Sequence, residues 1–432
     1  MDPLDSDLQE RLLATLAGRG VAGSAALQAA LGRSQPTLSR LLAGLGARVV
    51  VLGVGRRTRY ALPQALLGLS AQQALHAVTE DGRITRWGTL SFLRGEHVHV
   101  QAAGIDVLVQ GRLPWFLSPL RAEGFIGRQQ ARDLAAWGLP ANPEQWSLEQ
   151  TLFAALRQPD APGALLLGEG LGAALAPALP AADPDWDALA EATAGSLPAG
   201  SSAGGEQAKL LTRGADGAAL LVKFSPPQGS PFGQRWHDLL HAEALALAVL
   251  AEHGVPVASS RIIETGRRTY LVSQRFDRHG PHGRSHVVPL HAVHDAFVQG
   301  PRLHWAATCR ALAQQRRLPA EAASQAQALL HFGRLIGNTD MHFGNLSLRV
   351  AWADLARGRF TLAPVYDMLP MRWRPDSHSG DLGLLPFTPE AIDLQSAARP
   401  VALHFWQRAA QAPALSDGFR ALARTMAQRL VV

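Results

Sequence analysis

The spacing of apolar residues divides the chain into a helical start, a strand-rich middle and a largely helical end. Apolar positions at helical spacing predict helices over 8–16, 24–31 and 35–45. Alternating apolar residues then predict two strands, over 48–52 and 57–62, with glycines and arginines between them. Three helices followed by a basic β-ribbon are typical of a winged helix-turn-helix domain.

The positive charge of the chain is concentrated in this first part. Residues 1–10 carry a net charge of −4, residues 11–79 carry +8 with no acidic residue, and residues 80–432 carry +2. A basic segment of this kind favours a polyanion as partner. We therefore expect residues 1–65 to bind DNA, the alternative being a small helical interaction domain whose arginines are merely solvated. The residues expected to contact DNA are Gln35, Thr37, Ser39 and Arg40 on the recognition helix and Arg56, Arg57 and Arg59 on the wing.

Composition excludes several broad classes of protein. Hydrophobic residues make up 47% of the chain and the mean hydropathy is +0.01, which excludes wholesale disorder. The single Cys309 excludes a disulfide scaffold and a multi-cysteine zinc site. No signal-like segment is recognised, and the apolar run 163–182 contains Glu169, several glycines and two prolines, so it is a poor membrane span. We expect a soluble, cytoplasmic protein without membrane contact.

Lysine is unusually scarce. Of 41 cationic residues, 39 are arginine, and only Lys209 and Lys223 are lysine. An arginine replaces a surface lysine readily, but it cannot replace one where a compact ammonium group is required. These two lysines are therefore the first candidates for chemistry.

Both lysines lie in a predicted pair of strands after a glycine-rich loop at 200–205. Strands are expected over 209–213 and 218–224, and Lys223 interrupts the apolar second strand. Glu243 lies on the apolar face of a helix predicted over 236–253. A buried carboxylate requires a cation, and Lys223 is the lysine available to supply it.

The remaining polar groups follow in a fixed order. A second hairpin, over 261–264 and 269–276, ends in the segment Arg275-Phe-Asp-Arg278. Asp340 and Asn345 are then five positions apart, and a strand expected over 361–366 leads into Asp367. Glycine loop, strand lysine, helix glutamate, Asp-x4-Asn and a final aspartate is the order of parts in a bilobal kinase fold.

Three other segments match known functional motifs, but the residues around them favour ordinary loops and turns. The segment 168–173 has the glycines of a dinucleotide-binding turn, but Pro177 breaks the helix that such a turn requires. The segment 200–204 matches a hydrolase nucleophile elbow, yet it lies between a loop and a strand. Five histidines lie between His279 and His294, and Gly and Pro separate the first three, which predicts a mobile loop with solvated side chains rather than a metal site.

These segments resemble the HipA-like serine/threonine kinase toxins of bacteria, in a subgroup with a fused N-terminal winged helix. The similar segments are Gly205-Glu-Gln207-Ala-Lys209, Arg275-Phe-Asp-Arg278, Gly337-Asn-Thr-Asp340-Met-His342-Phe-Gly-Asn345 and Val365-Tyr-Asp367-Met. The resemblance covers about residues 100–432. It implies an α+β, bilobal protein-kinase-like (HipA-like) fold, with 66–192 as the N-terminal subdomain, 193–278 as the kinase N-lobe and 279–432 as the helical C-lobe.

The resemblance also implies the activity and the roles of individual residues. It implies an ATP- and Mg²⁺-dependent protein serine/threonine kinase, with Asp340 as catalytic base, Lys223 and His342 assisting it, and Asn345 and Asp367 holding the metal. It further implies self-limiting autophosphorylation at Ser202, or at the neighbouring Ser201. The residues expected to bind ATP are Gly204, Gly205, Gln207, Lys209, Lys223, Glu243, Gln274, Phe276, Asn345 and Asp367.

The sequence leaves partners and two rival functions open. Members of the family act on aminoacyl-tRNA synthetases, but nothing in the chain selects one such substrate, and a homodimer stays open. One rival is a DNA-binding regulator whose kinase-like fold senses nucleotide. The other is an enzyme acting on DNA, in which Asp340, His342, Asn345 and Asp367 form a hydrolytic metal centre.

Overall fold

The computed structural model describes residues 3–169, 182–195, 207–376 and 381–431. The helices are α1 (Pro3–Arg19), α2 (Ser24–Leu31), α3 (Gln35–Leu45), α4 (Gly124–Asp133), α5 (Leu148–Ala155), α6 (Trp186–Gly195), α7 (Pro231–Glu252), α8 (Leu290–Phe297), α9 (Trp305–Gln314), α10 (Ala320–Leu335), α11 (Trp352–Leu355), α12 (Ala391–Leu394), α13 (Arg399–Gln411) and α14 (Asp417–Val431). The strands are β1 (Val21–Gly23), β2 (Val50–Leu52), β3 (Arg59–Ala61), β4 (Gln72–Val78), β5 (Ile84–Leu93), β6 (His97–Ala102), β7 (Ile105–Gln110), β8 (Leu165–Leu167), β9 (Lys209–Arg213), β10 (Ala219–Phe224), β11 (Ser260–Glu264), β12 (Thr269–Gln274), β13 (Arg278–His279), β14 (Gly283–Arg284), β15 (Val287–Pro289), β16 (Ser347–Arg349) and β17 (Thr361–Leu362).

The first unit consists of three helices around a leucine core, followed by a small antiparallel sheet. Leu12, Leu16, Leu27 and Leu38 are fully buried among α1, α2 and α3. In the sheet, β3 lies between β1 and β2. The helices and the two strands that the apolar pattern predicts are present. The pattern does not predict β1, because a strand of three residues is too short to show alternation.

The middle unit contains a five-stranded antiparallel sheet in the order β7-β6-β5-β4-β8. In it, β5 pairs with β6 and β6 pairs with β7, each antiparallel. The pattern does not identify β8, since three buried leucines fit a strand and a helix equally well. Buried residues of this sheet, including Phe92, share one hydrophobic core with helices α7 to α10. The middle unit is therefore packed firmly onto the rest of the chain.

The described first part of the apolar run 163–182 belongs to the five-stranded sheet. Residues 165–167 form β8, which pairs with β4. Across the parts of the chain that the structure describes, no helix combines the length and the apolar character that a bilayer crossing requires.

A four-stranded antiparallel sheet, ordered β11-β12-β10-β9, packs against helix α7. The strands predicted over 209–213 and 218–224 are confirmed as β9 and β10. Helix α7 begins at Pro231, earlier than the predicted 236. The reason is local, because Ser230 Oγ accepts a hydrogen bond from the Gly233 amide at 2.9 Å and proline suits a first helical turn.

The strand predicted over 361–366 is largely wrong. Only Thr361 and Leu362 pair with β16, and Val365 makes a single parallel bridge to Val257. The backbone then turns at Asp367, whose φ of 53° lies in the left-handed region. A residue other than glycine is uncommon in this backbone conformation, and such residues cluster at functional sites.

The expectation that the histidines of 279–294 are solvated is wrong for two of them. His286 and His294 are each 3% exposed. The His286 ring stacks on Trp352, and His294 Nδ1 is hydrogen bonded to Thr308 Oγ1 at 2.7 Å. Apolar neighbours along the chain carry both rings into the core, which glycine and proline content alone does not reveal.

The helical end of the chain is built on large aromatic side chains. Trp406 of α13 is 0% exposed and packs against Trp373 and Phe405. Its Nε1–H donates to the Leu335 carbonyl oxygen at 3.1 Å, which joins α13 to the end of α10.

Replacing this indole tests the aromatic core. Trp406→Ala should lower the free energy of unfolding by about 3–5 kcal/mol, because it leaves a cavity and an unpaired carbonyl group. Urea unfolding followed by circular dichroism measures the loss. Ile392→Ala, at a side chain that is 61% exposed, is the control and should stay within about 0.5 kcal/mol of the wild type. Equal losses in both variants would contradict this description of the core.

Candidate active site

Three charged side chains from separate elements meet in the interior. Lys223 Nζ donates to both carboxylate oxygens of Glu243, at 2.7 and 2.8 Å, and also donates to Asp367 Oδ1. The side chains of Lys223, Glu243 and Asp367 are 5%, 2% and 21% exposed. The contact between Glu243 and Lys223 that the sequence predicts is present, and Asp367 adds a second carboxylate to it. We call these three residues the ionic cluster.

Burial and mutual attraction set the charges of the ionic cluster. Burial lowers the pKa of Lys223, but Asp367 and Glu243 outweigh it and raise the pKa above its ordinary value. Burial also opposes ionisation of Asp367, yet Lys223 and Lys209 lower the pKa of that carboxyl to about 2. Burial raises the pKa of Glu243, and Lys223 offsets this only in part. The cluster therefore holds a charged ammonium group, with Asp367 as its more acidic partner.

The second lysine lies directly opposite the first. Lys209 of β9 pairs with Lys223 of β10 across the antiparallel ladder. Like charges in opposed positions destabilise a sheet unless an anion compensates them. Burial lowers the pKa of Lys209, and Asp367 offsets this in part. Close by in sequence, Gln207 is buried, and its Nε2 has no hydrogen-bond partner among the described residues.

Both lysines line a cavity of about 320 Å³, which we call the inner cavity. Its lining combines the ionic cluster with apolar side chains and with the backbone of the segment after β12. The apolar lining residues include Leu211, Leu221, Leu247, Ala258 and Phe276, together with Ala122 and Ile126 of the middle unit. An apolar pocket with a few converging charged groups is the usual form of a small-molecule site.

Asp340, His342 and Asn345 lie on one tight loop between α10 and β16. Asn345 Nδ2 donates to the Asp340 carbonyl oxygen at 2.8 Å, and Asn338 Oδ1 accepts from the Asp340 amide at 2.9 Å. The Asp340 and His342 side chains are 51% and 61% exposed, with His342 Nε2 at 4.0 Å from Asp340 Oδ1. Asn338 Nδ2 also donates to the Asp367 carbonyl oxygen at 3.3 Å. The loop thus holds an accessible carboxylate on the framework that carries the ionic cluster.

Gln274 and Phe276, which are expected to bind ATP, also line the inner cavity. The Gln274 amide donates to the Ser259 carbonyl oxygen at 2.8 Å, and the Phe276 carbonyl oxygen accepts from Arg349 Nη2 at 2.9 Å. These two backbone groups are engaged within the protein. The strand predicted over 269–276 ends at Gln274, because the chain leaves the sheet there.

A larger cavity of about 1040 Å³, which we call the outer cavity, shares five lining residues with the inner one: Ser118, Arg121, Glu123, Lys209 and Gly344. One wall comes from the C-terminal part and includes His342 and Asn345. The opposite wall comes from the middle unit, and sequence reasoning misses it because no motif marks these positions and only the fold brings them to the site. The missed residues include Arg112, Trp115, Ser118, Arg121, Glu123 and Glu144.

The glycine-rich loop lies outside the described residues. Gly204, Gly205, Ser202 and Ser201 all fall there. Their roles in binding and in autophosphorylation stay predictions, and Gln207 is the first residue after the loop that the structure places.

The inner cavity, together with the adjoining part of the outer cavity that Asn345 lines, fits a nucleotide with a divalent cation. The ammonium groups of Lys209 and Lys223 match phosphates, and the apolar walls match a base. Asn345 bonds to Asp340 through its Nδ2, which leaves its amide oxygen, and Asp367 contacts Lys223 through Oδ1, which leaves Oδ2. Carboxylate and amide oxygens are ligands that Mg²⁺ prefers.

The residues predicted to contact DNA lie on the surface of the first unit. In α3, the Arg40 guanidinium pairs with Asp5 at 3.0 Å, and the Gln35 side chain accepts a hydrogen bond from Gln28 at 2.7 Å. The arginines around β3 have no carboxylate partner within the described part of the chain. Of the predicted residues, Gln35, Ser39, Arg40, Arg56, Arg57 and Arg59 are exposed and Thr37 is half-buried.

Comparisons with known proteins agree with this arrangement. A family model described as HipA-like C-terminal domain matches residues 201–431, and one described as YjjJ-like toxin, middle domain, matches residues 69–175. Toxin YjjJ of Escherichia coli (strain K12) is 34% identical over 451 residues, which cover 98% of this chain and 97% of that protein.

One solved structure shows the fold. A chain of the Shewanella oneidensis MR-1 toxin antitoxin system HipA, HipB and operator DNA complex aligns with a TM-score of 0.52 at 17% identity, covering 83% of this chain and 96% of that one. The Helicobacter pylori proinflammatory kinase CtkA aligns with a TM-score of 0.33 at 14% identity, covering 52% of this chain and 86% of that one, a score too low to define a shared fold.

The fold and the matched C-terminal domain define a protein of the HipA-like toxin class. Within that class, the chain belongs to the YjjJ-like toxin family, as the match over nearly its whole length shows. The resemblance to HipA-like proteins and the α+β HipA-like fold are thereby confirmed. The winged helix, the domain boundaries and the roles of the site residues stay predictions.

The acidity of Asp367 gives the ionic cluster a measurable pH dependence. Its pKa of about 2 lies below the ordinary value of about 4, so ionised Asp367 stabilises the fold above about pH 4, and this stabilisation is lost as the pH falls toward 2. The free energy of unfolding in urea should therefore be higher in the wild type than in Asp367→Asn by about 2 kcal/mol near pH 7. The difference should shrink near pH 3.

The control is Asp133→Asn, which removes an exposed carboxylate at the end of α4. This variant should stay within about 0.5 kcal/mol of the wild type near neutral pH. A gap between the wild type and Asp367→Asn that keeps its size from about pH 7 to about pH 3 would show that the ionised carboxylate does not stabilise the fold.

Proposed function

We propose that this chain is an ATP- and Mg²⁺-dependent protein kinase that phosphorylates serine or threonine side chains. The observation that carries the proposal is the ionic cluster at the inner cavity, where Lys223 is held between Glu243 and Asp367. The chain order of these residues, followed through Asp340 and Asn345, is that of kinases. The HipA-like class of the chain supports the same proposal.

Positive charge beside the transferred group is the main requirement of phosphoryl transfer. Lys209 and Lys223 supply it from adjacent strands, and the apolar lining of the inner cavity strengthens their effect. Glu243 fixes the position of the Lys223 ammonium group with two hydrogen bonds. When bound by Asn345 and Asp367, Mg²⁺ supplies further neutralisation of phosphate charge.

Asp340 is the proposed general base for the hydroxyl group of the substrate. Its carboxylate is half exposed, so a side chain of another protein can reach it. Hydrogen bonds with Asn338 and Asn345 hold its backbone. His342, whose Nδ1 accepts a hydrogen bond from the Gly344 amide at 3.0 Å, is proposed to orient the loop. The family resemblance supports an aminoacyl-tRNA synthetase as substrate and Ser202, or Ser201, as the site of self-limiting autophosphorylation.

Substitutions of Asp340 and Lys223 separate binding from transfer. Asp340→Asn should slow phosphate transfer from labelled ATP to proteins of a bacterial extract by at least about 100-fold, because a positioned base contributes about 10²–10⁴. ATP binding, measured by calorimetry, should persist. Lys223→Arg should also lose most transfer, since the larger planar fork cannot take the place of a compact ammonium group between two carboxylates.

Asp133→Asn again serves as the control and should keep the wild-type transfer rate, since its side chain is exposed on α4. Transfer by Asp340→Asn at the wild-type rate would remove Asp340 from the mechanism. DNA included in the same reaction tests the rival enzyme: nicked DNA without phosphoprotein would overturn the kinase proposal in favour of metal-dependent DNA hydrolysis.

We also propose that the first unit is a winged helix-turn-helix that binds DNA. The observation in its favour is the set of exposed arginines around β3, Arg56, Arg57 and Arg59, in a segment, 11–79, that carries +8. Helix α3 exposes Gln35 and Ser39 beside them in the same unit. The HipA structural relative was solved in a complex that contains operator DNA, which supports DNA as a partner.

Salt dependence tests this second activity. Replacing Arg56, Arg57 and Arg59 together by alanine should reduce the slope of log affinity against log salt by about 2–3, since each phosphate contact contributes about 0.9. Fluorescence anisotropy with duplex DNA measures the slope. A control variant that replaces the exposed Arg310, Arg357 and Arg424 by alanine should keep the wild-type slope. Equal slopes in all three proteins would contradict DNA binding through this segment.

A further inference from the structure

A third cavity, of about 260 Å³, lies behind the segment that follows β12. It is enclosed by the β9–β10 hairpin, by the β13–β14 hairpin and by residues 159–160 of the middle unit. Arg213, Arg278 and Arg284 line it, and Asp160 is the acidic residue in the described lining. We call this cavity the arginine pocket.

The three arginines are brought together by the backbone. Arg278 and Arg284 are directly opposed across the two-residue ladder of β13 and β14. Arg213 reaches them from β9, where its Nη1 donates to the Pro281 carbonyl oxygen at 3.0 Å in the turn that joins these strands. Like charges in opposed positions destabilise a sheet, so this arrangement calls for a compensating anion.

The carboxylates near the pocket already pair with Arg275 and with one pocket arginine, Arg278. Asp277 accepts from Arg278 Nη1 at 2.6 Å and pairs with Arg275 at 3.2 Å. Asp160 accepts from Arg278 Nη2 at 2.9 Å and from Arg275 Nη1 at 2.8 Å. Two acids thus serve two arginines, and Arg213 and Arg284 form no ion pair within the described residues.

Arg284 is the least satisfied of these groups. Its side chain is 5% exposed, and its Nη2 donates to the Pro159 carbonyl oxygen at 2.7 Å. Its Nη1 is buried and has no hydrogen-bond partner in the described part of the chain. Burial and the neighbouring Arg278 lower the pKa of Arg284 to about 9. Asp160 and Asp277 offset this only in part. A buried cation that is incompletely compensated is costly, and a bound anion lowers that cost.

We propose that the arginine pocket binds a phosphate-class oxyanion, either free inorganic phosphate or the phosphate of a phosphorylated side chain. Guanidinium groups donate in a planar fork that matches two oxygens of a phosphate. Arg284 Nη1 and Arg213 supply the donors that carry no carboxylate partner. The proposal does not depend on kinase activity, because neither Lys209 nor Lys223 lines the arginine pocket.

The position of the pocket gives the anion a structural effect. Its walls belong to the middle unit, to the four-stranded sheet and to the segment that leads out of the inner cavity. An anion held by arginines from two of these parts opposes their separation. We expect phosphate to stabilise the chain against unfolding, in addition to binding to it.

The test uses the full chain with inorganic phosphate, titrated by calorimetry at constant ionic strength with chloride as the balancing anion. The wild type should bind phosphate and should show a higher melting temperature in its presence. Arg213→Ala and Arg284→Met should each weaken binding by at least about 10-fold, since a charge-assisted hydrogen bond contributes about 1.5–3 kcal/mol. Arg213 is half-buried, so its variant keeps the test valid if Arg284→Met does not fold.

One control variant and the two pocket variants locate the binding site. Arg261→Ala, at a side chain of the same sheet that is 56% exposed, should keep wild-type phosphate affinity. Neither Arg213 nor Arg284 lines the inner cavity, so their variants report on the arginine pocket alone. Wild-type phosphate binding in both Arg213→Ala and Arg284→Met would place the phosphate outside the arginine pocket and overturn the proposal. Absence of binding to the wild type, or equal binding to all variants, would overturn it as well.

A parallel titration with O-phosphoserine identifies the source of the anion. Tighter binding of O-phosphoserine than of inorganic phosphate, lost in Arg213→Ala, supports a phosphorylated side chain as the occupant. Equal or weaker binding of O-phosphoserine supports free phosphate. Kinase activity that Lys223→Arg leaves unchanged would refute the proposed function. That result would not bear on phosphate binding in the arginine pocket, so each proposal can fail without the other.

Discussion

One buried ammonium group connects the parts of this protein that matter most for its chemistry. Lys223 belongs to strand β10, and Glu243 belongs to helix α7, which packs on the same sheet. Asp367 belongs to a turn after β17 in the C-terminal part of the chain. The ionic cluster therefore forms only when all three are packed together. Removing one partner of a buried ion pair costs more than the pair contributes, because it leaves a charge without a counterion. The contacts that shape the inner cavity thus also join the four-stranded sheet and helix α7 to the C-terminal part of the chain.

The middle unit takes part in the site rather than standing beside it. Its Gly163 amide donates to Asp277 at 2.8 Å, and its Asp160 pairs with Arg275, so it fixes the segment between the sheet and the helical part. It also supplies one wall of the outer cavity, including Arg121 and Glu123. A substrate protein that approaches Asp340 would therefore meet the middle unit as well. These contacts join the segment that matches the YjjJ-like middle domain to the segment that matches the HipA-like C-terminal domain.

The sequence predicts the chemistry of the site better than its surroundings. Scarcity of lysine and the apolar face around Glu243 are enough to predict the pair with Lys223, because a buried carboxylate has few alternatives. The second carboxylate on Lys223 is not predicted, since the backbone turn at Asp367 breaks the expected strand. The burial of His286, the wall residues such as Trp115 and the opposed Arg278 and Arg284 are not predicted either. Each depends on contacts between distant segments, which local spacing cannot show.

The central claim is that the ionic cluster is the phosphate and metal end of a nucleotide site. A crystal structure of the full chain with Mg²⁺ and a non-hydrolysable ATP analogue tests it most directly. We expect the base to lie in the inner cavity near Phe276, phosphate oxygens to lie within ion-pair distance of Lys209 and Lys223, and the metal to bind Asn345 and Asp367. An analogue bound outside the inner cavity, or a metal that contacts neither Asn345 nor Asp367, would contradict it.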